Sequence, residues 1–369
     1  MKKRLVVWFL TLGITVCSQA VYSGGWEAST LDTSFLYNNG NYAEVETTHI
    51  TNNVTANIQG QTVQNKMVKD QTRTVIATKI GLGSLDFGLT SYISGALQTD
   101  GQAAHAAGCP GTPSNCSMIP SVDLIINNIA LMTRYRFDKN ISILGGINRY
   151  ALAGTATLSS LVGYYELTGD QIVPSVGVAY EQPITALRVE LVVEPSTNIG
   201  NFTAKSSVNS STATSDLTGE SMKIPQTATL NFQSGAGADT LVYGTIRQVA
   251  WSDGQLIIPA GNSVPRAPTN YKDTTSYLFG VAQKFSDQLT STLSYKTEIG
   301  TVNNSNAFAS GNGFETFSVG VRYKIGNANL SASYSHTMFG DLSLSSGNYT
   351  ATYKNNTASA FGAQLAMKF

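Results

Sequence analysis

The side chains that could do chemistry are three histidines, a close pair of cysteines and a few charged residues that recur on one face of the chain. His49, His105 and His336 are far apart, and none stands beside a Ser/Asp or Cys/Asn arrangement that would make a nucleophile. There is no G-x-S-x-G, phosphate loop or His/Cys metal spacing. Cys109 and Cys116 enclose the Gly/Pro-rich turn C-P-G-T-P-S-N-C. Two thiolates with only a distant His105 lack the four ligands of a structural zinc site, so in an exported chain they read as a disulfide closing a small loop. Arg188 and Glu190 share a face and read as a paired electrostatic network, because buried charges must be paired. Neither catalysis nor a cofactor or metal is expected from these residues.

Composition narrows the class. Of 369 residues, 42% are hydrophobic and 12% charged, with 23 acids against 23 bases. Soluble domains carry about 25% charged residues. With no basic surplus there is no footprint for nucleic acid. The one strongly apolar run, Leu5 to Cys17, follows Lys2, Lys3 and Arg4 and precedes Ser18-Gln19-Ala20. That is the pattern of a secretory signal peptide over residues 1–20, cut after Ala20. A lipoprotein reading centred on Cys17 is disfavoured, since Val16 is larger than the residue expected before a lipidated cysteine.

The elements that must position these residues are strands. In the terminal stretch Ala358 to Phe369, Phe361, Ala363, Leu365, Met367 and Phe369 alternate with Ala360, Gly362, Gln364, Ala366 and Lys368. A two-residue period over about ten residues, ending on an aromatic, has the reach of a membrane-spanning strand. Phe317, Val319, Val321, Tyr323 and Ile325 oppose Thr316, Ser318, Gly320, Arg322 and Lys324 in the same way, and Gly326-Asn327 then signals a tight hairpin. About fourteen such segments are expected, near 41–52, 72–82, 85–97, 122–137, 141–157, 170–182, 186–203, 223–235, 239–254, 274–285, 289–301, 314–325, 328–343 and 357–369. Tight turns alternate with longer polar connections, among them 98–121 and 158–169. The expectation is an all-β, antiparallel up-and-down barrel in a bacterial outer membrane, its even strand number leaving no open edge in lipid. Residues 21–40 show no sustained period and form a lead-in, with residues 41–369 as the barrel.

The expected inward face is not uniformly polar. It carries Met132, Leu144, Val192, Val242, Ile246, Leu278 and Phe339. These residues suit a greasy internal pocket for an apolar ligand. They suit equally well a barrel plugged by the lead-in through Leu31, Phe35, Leu36 and Tyr37.

Several stretches resemble the FadL family of outer-membrane transporters for long-chain fatty acids and other hydrophobic compounds. They are G-G-W-E-A-S-T at 24–30, R-Y-R-F-D-K-N-I-S at 134–142, A-Y-E-Q-P at 179–183, I-P-Q-T-A-T-L-N-F-Q-S-G at 224–235 and A-D-T-L-V-Y-G-T-I-R at 238–247. The resemblance implies fourteen strands around a short N-terminal hatch, with ligand passing to a lumen pocket and leaving sideways beside a kinked third strand. Gly95 matches the family's glycine at that kink, with Ile93 and Ser94 where a proline is usual. The implied function is passive uptake of long-chain fatty acids or aromatic hydrocarbons by a monomer that contacts outer-membrane lipids. Phe369, as a terminal aromatic, is expected to be read by the barrel-assembly machinery. A general porin for polar solutes and a surface interaction protein acting through its outer loops are the alternatives.

Overall fold

The two-residue alternation closes into a cylinder. In the computed structural model, residues 25–58, 60–62, 66–101, 121–159, 163–207, 215–216, 221–257, 269–301, 308–346 and 349–369 are described. The expected signal peptide over residues 1–20, His105 and the Cys109–Cys116 pair lie outside the described residues.

Fourteen strands form the wall. They are β1 (Tyr42–Asn53), β2 (Gln71–Leu82), β3 (Leu85–Thr99), β4 (Ser121–Arg136), β5 (Ile141–Ser159), β6 (Gly163–Gln182) and β7 (Leu187–Glu194), followed by β8 (Thr227–Gly235), β9 (Thr240–Val249), β10 (Thr274–Lys284), β11 (Leu289–Ile299), β12 (Gly313–Ile325), β13 (Ala328–Phe339) and β14 (Thr357–Lys368). Each pairs antiparallel with its neighbours, and the ring closes where β1 meets β14, from Tyr42↔Lys368 to Asn53↔Thr357. Closure joins the first strand to the last and leaves neither as a free edge, as the interior of a bilayer requires.

Burial follows the pleat. Along β14 the residues Ala358, Ala360, Gly362, Gln364 and Ala366 are buried while Phe361, Leu365 and Met367 stand outward. Ile76, Leu131, Val176, Leu293 and Val319 continue the same exposed apolar surface around the ring. Charged residues such as Arg73, Lys79, Asp86, Arg134, Glu190 and Arg247 are buried on the inner side. Apolar-out and polar-in is the arrangement of a membrane barrel and the reverse of a soluble one. Among the described residues no helix is long and apolar enough to cross a membrane. One end carries short hairpins of two or four residues, including Gly326-Asn327, where Gly326 takes φ of 60°. This is the inner end, and the long connections mark the outer one.

Three expectations change. Residues 158–169 are not one long loop: β5 and β6 run on past the barrel, joined at 160–162, and Gly200–Ser207 pairs with the extension of β6. The expected strand over 186–203 stops at Glu194, because Pro195 has no N–H to continue the ladder. Val242 and Ile246 face outward. On β9 the inward set is Leu241, Tyr243, Thr245, Arg247 and Val249, one residue out of step with the expected register.

Candidate functional site

Residues 25–41 lie inside the barrel, because their contacts reach strands on several sides of the ring. Glu27 accepts from Arg247 Nε on β9 at 2.8 Å, and Ala28 O accepts from Arg73 on β2 at 2.6 Å. Thr33 Oγ1 and Tyr37 OH both donate to Glu190 on β7, and Lys79 Nζ donates to Asn38 O. The short helical turn Ser34–Tyr37 buries Phe35 and Leu36 at 1% and 0% exposure. These two pack with Tyr37 against Ala130, Met132 and Leu144. Gly88 on β3 makes room for them, since a Cβ there would stand 2.4 Å from the Phe35 ring. The Tyr37 ring also receives two guanidinium carbons, Arg134 at 3.9 Å and Arg188 at 4.1 Å from its centroid.

The wall itself is interrupted at one place. β2 and β3 pair from Leu82↔Leu85 to Ile76↔Ser91 and then separate, although β2 begins at Gln71 and β3 continues to Thr99. Beyond that gap the chain leading into β2 meets β3 again at the isolated bridge Val68↔Thr99. Within the interval the β3–β4 register shifts between Ile93 and Gly95.

The N-terminal segment supplies the missing partner. Glu27 bridges Gly95, Ala28 N donates to Ser94 O at 2.9 Å, and Ala96 N donates to Trp26 O at 2.9 Å. Backbone groups that lost β2 are thereby satisfied, as a low-dielectric wall demands. The indole of Trp26 lies directly over Gly95: a Cβ there would lie 2.3 Å from it. No larger residue fits without moving Trp26.

Beside the segment is a lumen cavity of about 240 Å³. Its apolar lining includes Leu31, Phe35, Tyr92, Phe232, Tyr243 and Leu278, and its polar lining includes Glu44, Asn231, Arg247 and Lys296. The lining is thus mixed, with charged and amide groups set among the apolar ones. Toward the outer end, strand, loop and N-terminal residues form a larger apolar cluster with Trp26, Met67, Leu124, Ile126, Trp251 and Phe339 among its members. Trp26 and Trp251 meet there edge to face at 5.0 Å.

The expected site residues thus separate into groups. Phe35, Leu36, Tyr37 and Leu144 come together with Met132 in one apolar cluster, and Leu31 packs at its margin. Leu278 lines the cavity, Phe339 belongs to the outer cluster, and Val192 is buried on β7 outside both apolar clusters. Phe369 is outward and exposed at the inner rim, where its N–H donates to Asn41 O at 3.2 Å. Glu190 and Arg188 act on the N-terminal segment as well as on the wall. Arg73 and Arg247 as partners of that segment, and the contacts that Trp26 and Glu27 make from it with the wall, are beyond sequence reasoning, since alternation shows that a residue faces inward but not what it meets there. Among the described residues no group of His, Cys, Asp and Glu is placed to hold a metal ion.

The sequence matches no protein-family model and no curated protein. Solved structures share the fold. A FadL homologue of Pseudomonas aeruginosa aligns with a TM-score of 0.71 at 11% identity, over 91% of this chain and 92% of that one. The Pseudomonas putida toluene transporter TodX gives 0.60 at 13% identity, covering 94% and 96%. The Ralstonia pickettii toluene transporter TbuX gives 0.61 at 13% identity, covering 98% and 100%. At these identities the likeness is one of fold: a FadL-type outer-membrane barrel.

Proposed function

We propose that this barrel carries small hydrophobic molecules passively across the outer membrane and releases them sideways into the bilayer. The observation that carries the reading is the window between β2 and β3, filled by a separate segment of chain instead of a continuous ladder. A barrel built only for rigidity would keep that ladder. Residues 25–41 act in this reading as a hatch: moving Trp26–Ala28 off Gly95 reopens the wall at lipid level. The outer apolar cluster offers a surface on which a hydrophobic solute sheds water before it enters.

The cavity favours compact aromatic molecules over extended fatty acids. Its volume of about 240 Å³ lies just below the span of drug-sized ligand pockets, roughly 300–1,000 Å³. The fold neighbours described as toluene transporters agree with that choice. The test is initial uptake of labelled toluene and labelled oleate by cells of a host lacking such a route, with and without this chain. Toluene entry should rise more than oleate entry. Equal entry of toluene with and without the chain overturns the proposal, and a large steady ionic conductance in planar bilayers would point to a porin for polar solutes.

A further inference from the structure

Two tryptophans and two glycines tie the N-terminal segment to the wall reciprocally. Trp26 of the segment lies over Gly95 of β3, and Trp251, just past the end of β9, lies against Gly25 of the segment, where a Cβ would stand 2.2 Å from its ring. The two indoles then meet edge to face. Trp251 belongs to the fixed side. Ala250 N donates to Gln226 O at 2.9 Å, and Trp251 O accepts from Gly254 N at 2.9 Å and from Gln255 Nε2 at 3.1 Å. Tyr271 backs the Trp251 ring, with 5.8 Å between centroids. Trp26 belongs to the side that must move if the window is to open.

Trp251 is also where the outer apolar cluster and the lumen cavity join. It is a member of the first and lines the second, together with Gly25, Glu27 and Phe314. When Trp26 leaves Gly95, Trp251 loses its edge-to-face partner on the cavity side. That contact sets the positive edge of one ring against the negative face of another, so a second aromatic ring can restore it. A saturated ring of the same size fills the space but carries no such charge distribution.

Building on the uptake reading, we infer that Trp251 is a specificity-determining residue that couples opening of the window to the aromatic character of the solute. The ring of the solute takes the place of Trp26 against Trp251 and thereby stabilises the unsealed form. A solute shifts such an equilibrium only by the difference in its affinity for the two states, and here the difference is one aromatic contact. In the sealed form Trp26 and Tyr271 are already the ring partners of Trp251. An aromatic pair favours the unsealed form about 2–12-fold, equivalent to about 0.5–1.5 kcal/mol beyond simple burial. With the seal closed most of the time, initial uptake scales with the unsealed population.

The test compares toluene with methylcyclohexane, which share one methyl group on a six-membered ring and differ in aromaticity. Each is measured as initial uptake by host cells expressing the full chain, relative to entry into cells lacking it. The unaltered chain should favour toluene about 2–12-fold. Trp251→Leu should bring the ratio near one, whereas Trp251→Phe, which keeps a ring, should retain most of it. Heat-modifiable migration on denaturing gels shows which variants have formed their barrel, and the ratio of the unaltered chain tests the inference even if Trp251→Leu does not assemble. A ratio near one in the unaltered chain, the same ratio in folded Trp251→Leu as in the unaltered chain, or a ratio lost as fully in Trp251→Phe as in Trp251→Leu overturns it. Failure of the unaltered chain to admit either probe would instead overturn the uptake reading on which the inference rests.

Discussion

Glu190 is buried on β7, and three groups donate to it: the hydroxyls of Thr33 and Tyr37 from the N-terminal segment and the Asn231 amide from β8. Hydrogen bonds to a charged group contribute about 1.5–3 kcal/mol each, so this single carboxylate holds the segment more firmly than the apolar contact of Leu31 does. Glu190→Ala would leave two hydroxyls and an amide without an acceptor. The expected result is a barrel that still assembles but whose segment is displaced more often, seen in planar bilayers as brief conductance events at least about tenfold more frequent. Tyr37→Phe should do less, since it removes one bond and keeps the ring between Arg134 and Arg188. Wild-type behaviour of Glu190→Ala would show that packing of Phe35 and Leu36 alone retains the segment.

At the level of elements, the seam between β1 and β14 separates assembly from transport. The twelve pairs from Tyr42↔Lys368 to Asn53↔Thr357 close the ring, and Phe369 stands just beyond them, 65% exposed on the outer side. It touches neither the cavity nor the window. Deleting Phe369 should therefore reduce the amount of inserted barrel while the uptake rate per folded molecule stays the same. Normal insertion of the deletion would count against its reading as an assembly signal. The strands of this seam are legible in the sequence because lipid enforces strict alternation there. Alternation also misled: the stretch from Gly163 to Leu167 extends β6 beyond the barrel, where a third strand, Gly200–Ser207, pairs with it, and no local pattern reveals that partner. The window was harder still. Gly95 could be singled out through a resemblance, but its meaning depends on Trp26 and Glu27, about seventy residues away in sequence.

For the whole molecule, the sharpest physical claim is that the apolar belt faces lipid. Val319 lies at the middle of β12, 52% exposed, between Leu293 on β11 and Tyr334 on β13. In a water-soluble barrel, arginine at so exposed a position would change stability little, within about 0.5 kcal/mol. At the midplane of a bilayer it would cost about 2–4 kcal/mol, because the guanidinium must either lose its hydration or thin the membrane around it. The same substitution at Phe361, near a strand centre on the seam, should behave alike, whereas at Phe137 or Phe285, in inner-end hairpins, the cost should fall to about 0–1 kcal/mol. Denaturant titration of Val319→Arg and Phe137→Arg, refolded into phospholipid vesicles, measures the difference. A depth-dependent penalty supports the membrane-spanning belt. Equal and small effects at both positions would mean that the outward apolar surface is covered by something other than lipid, and lateral release through the β2–β3 window would then have no bilayer to receive the solute.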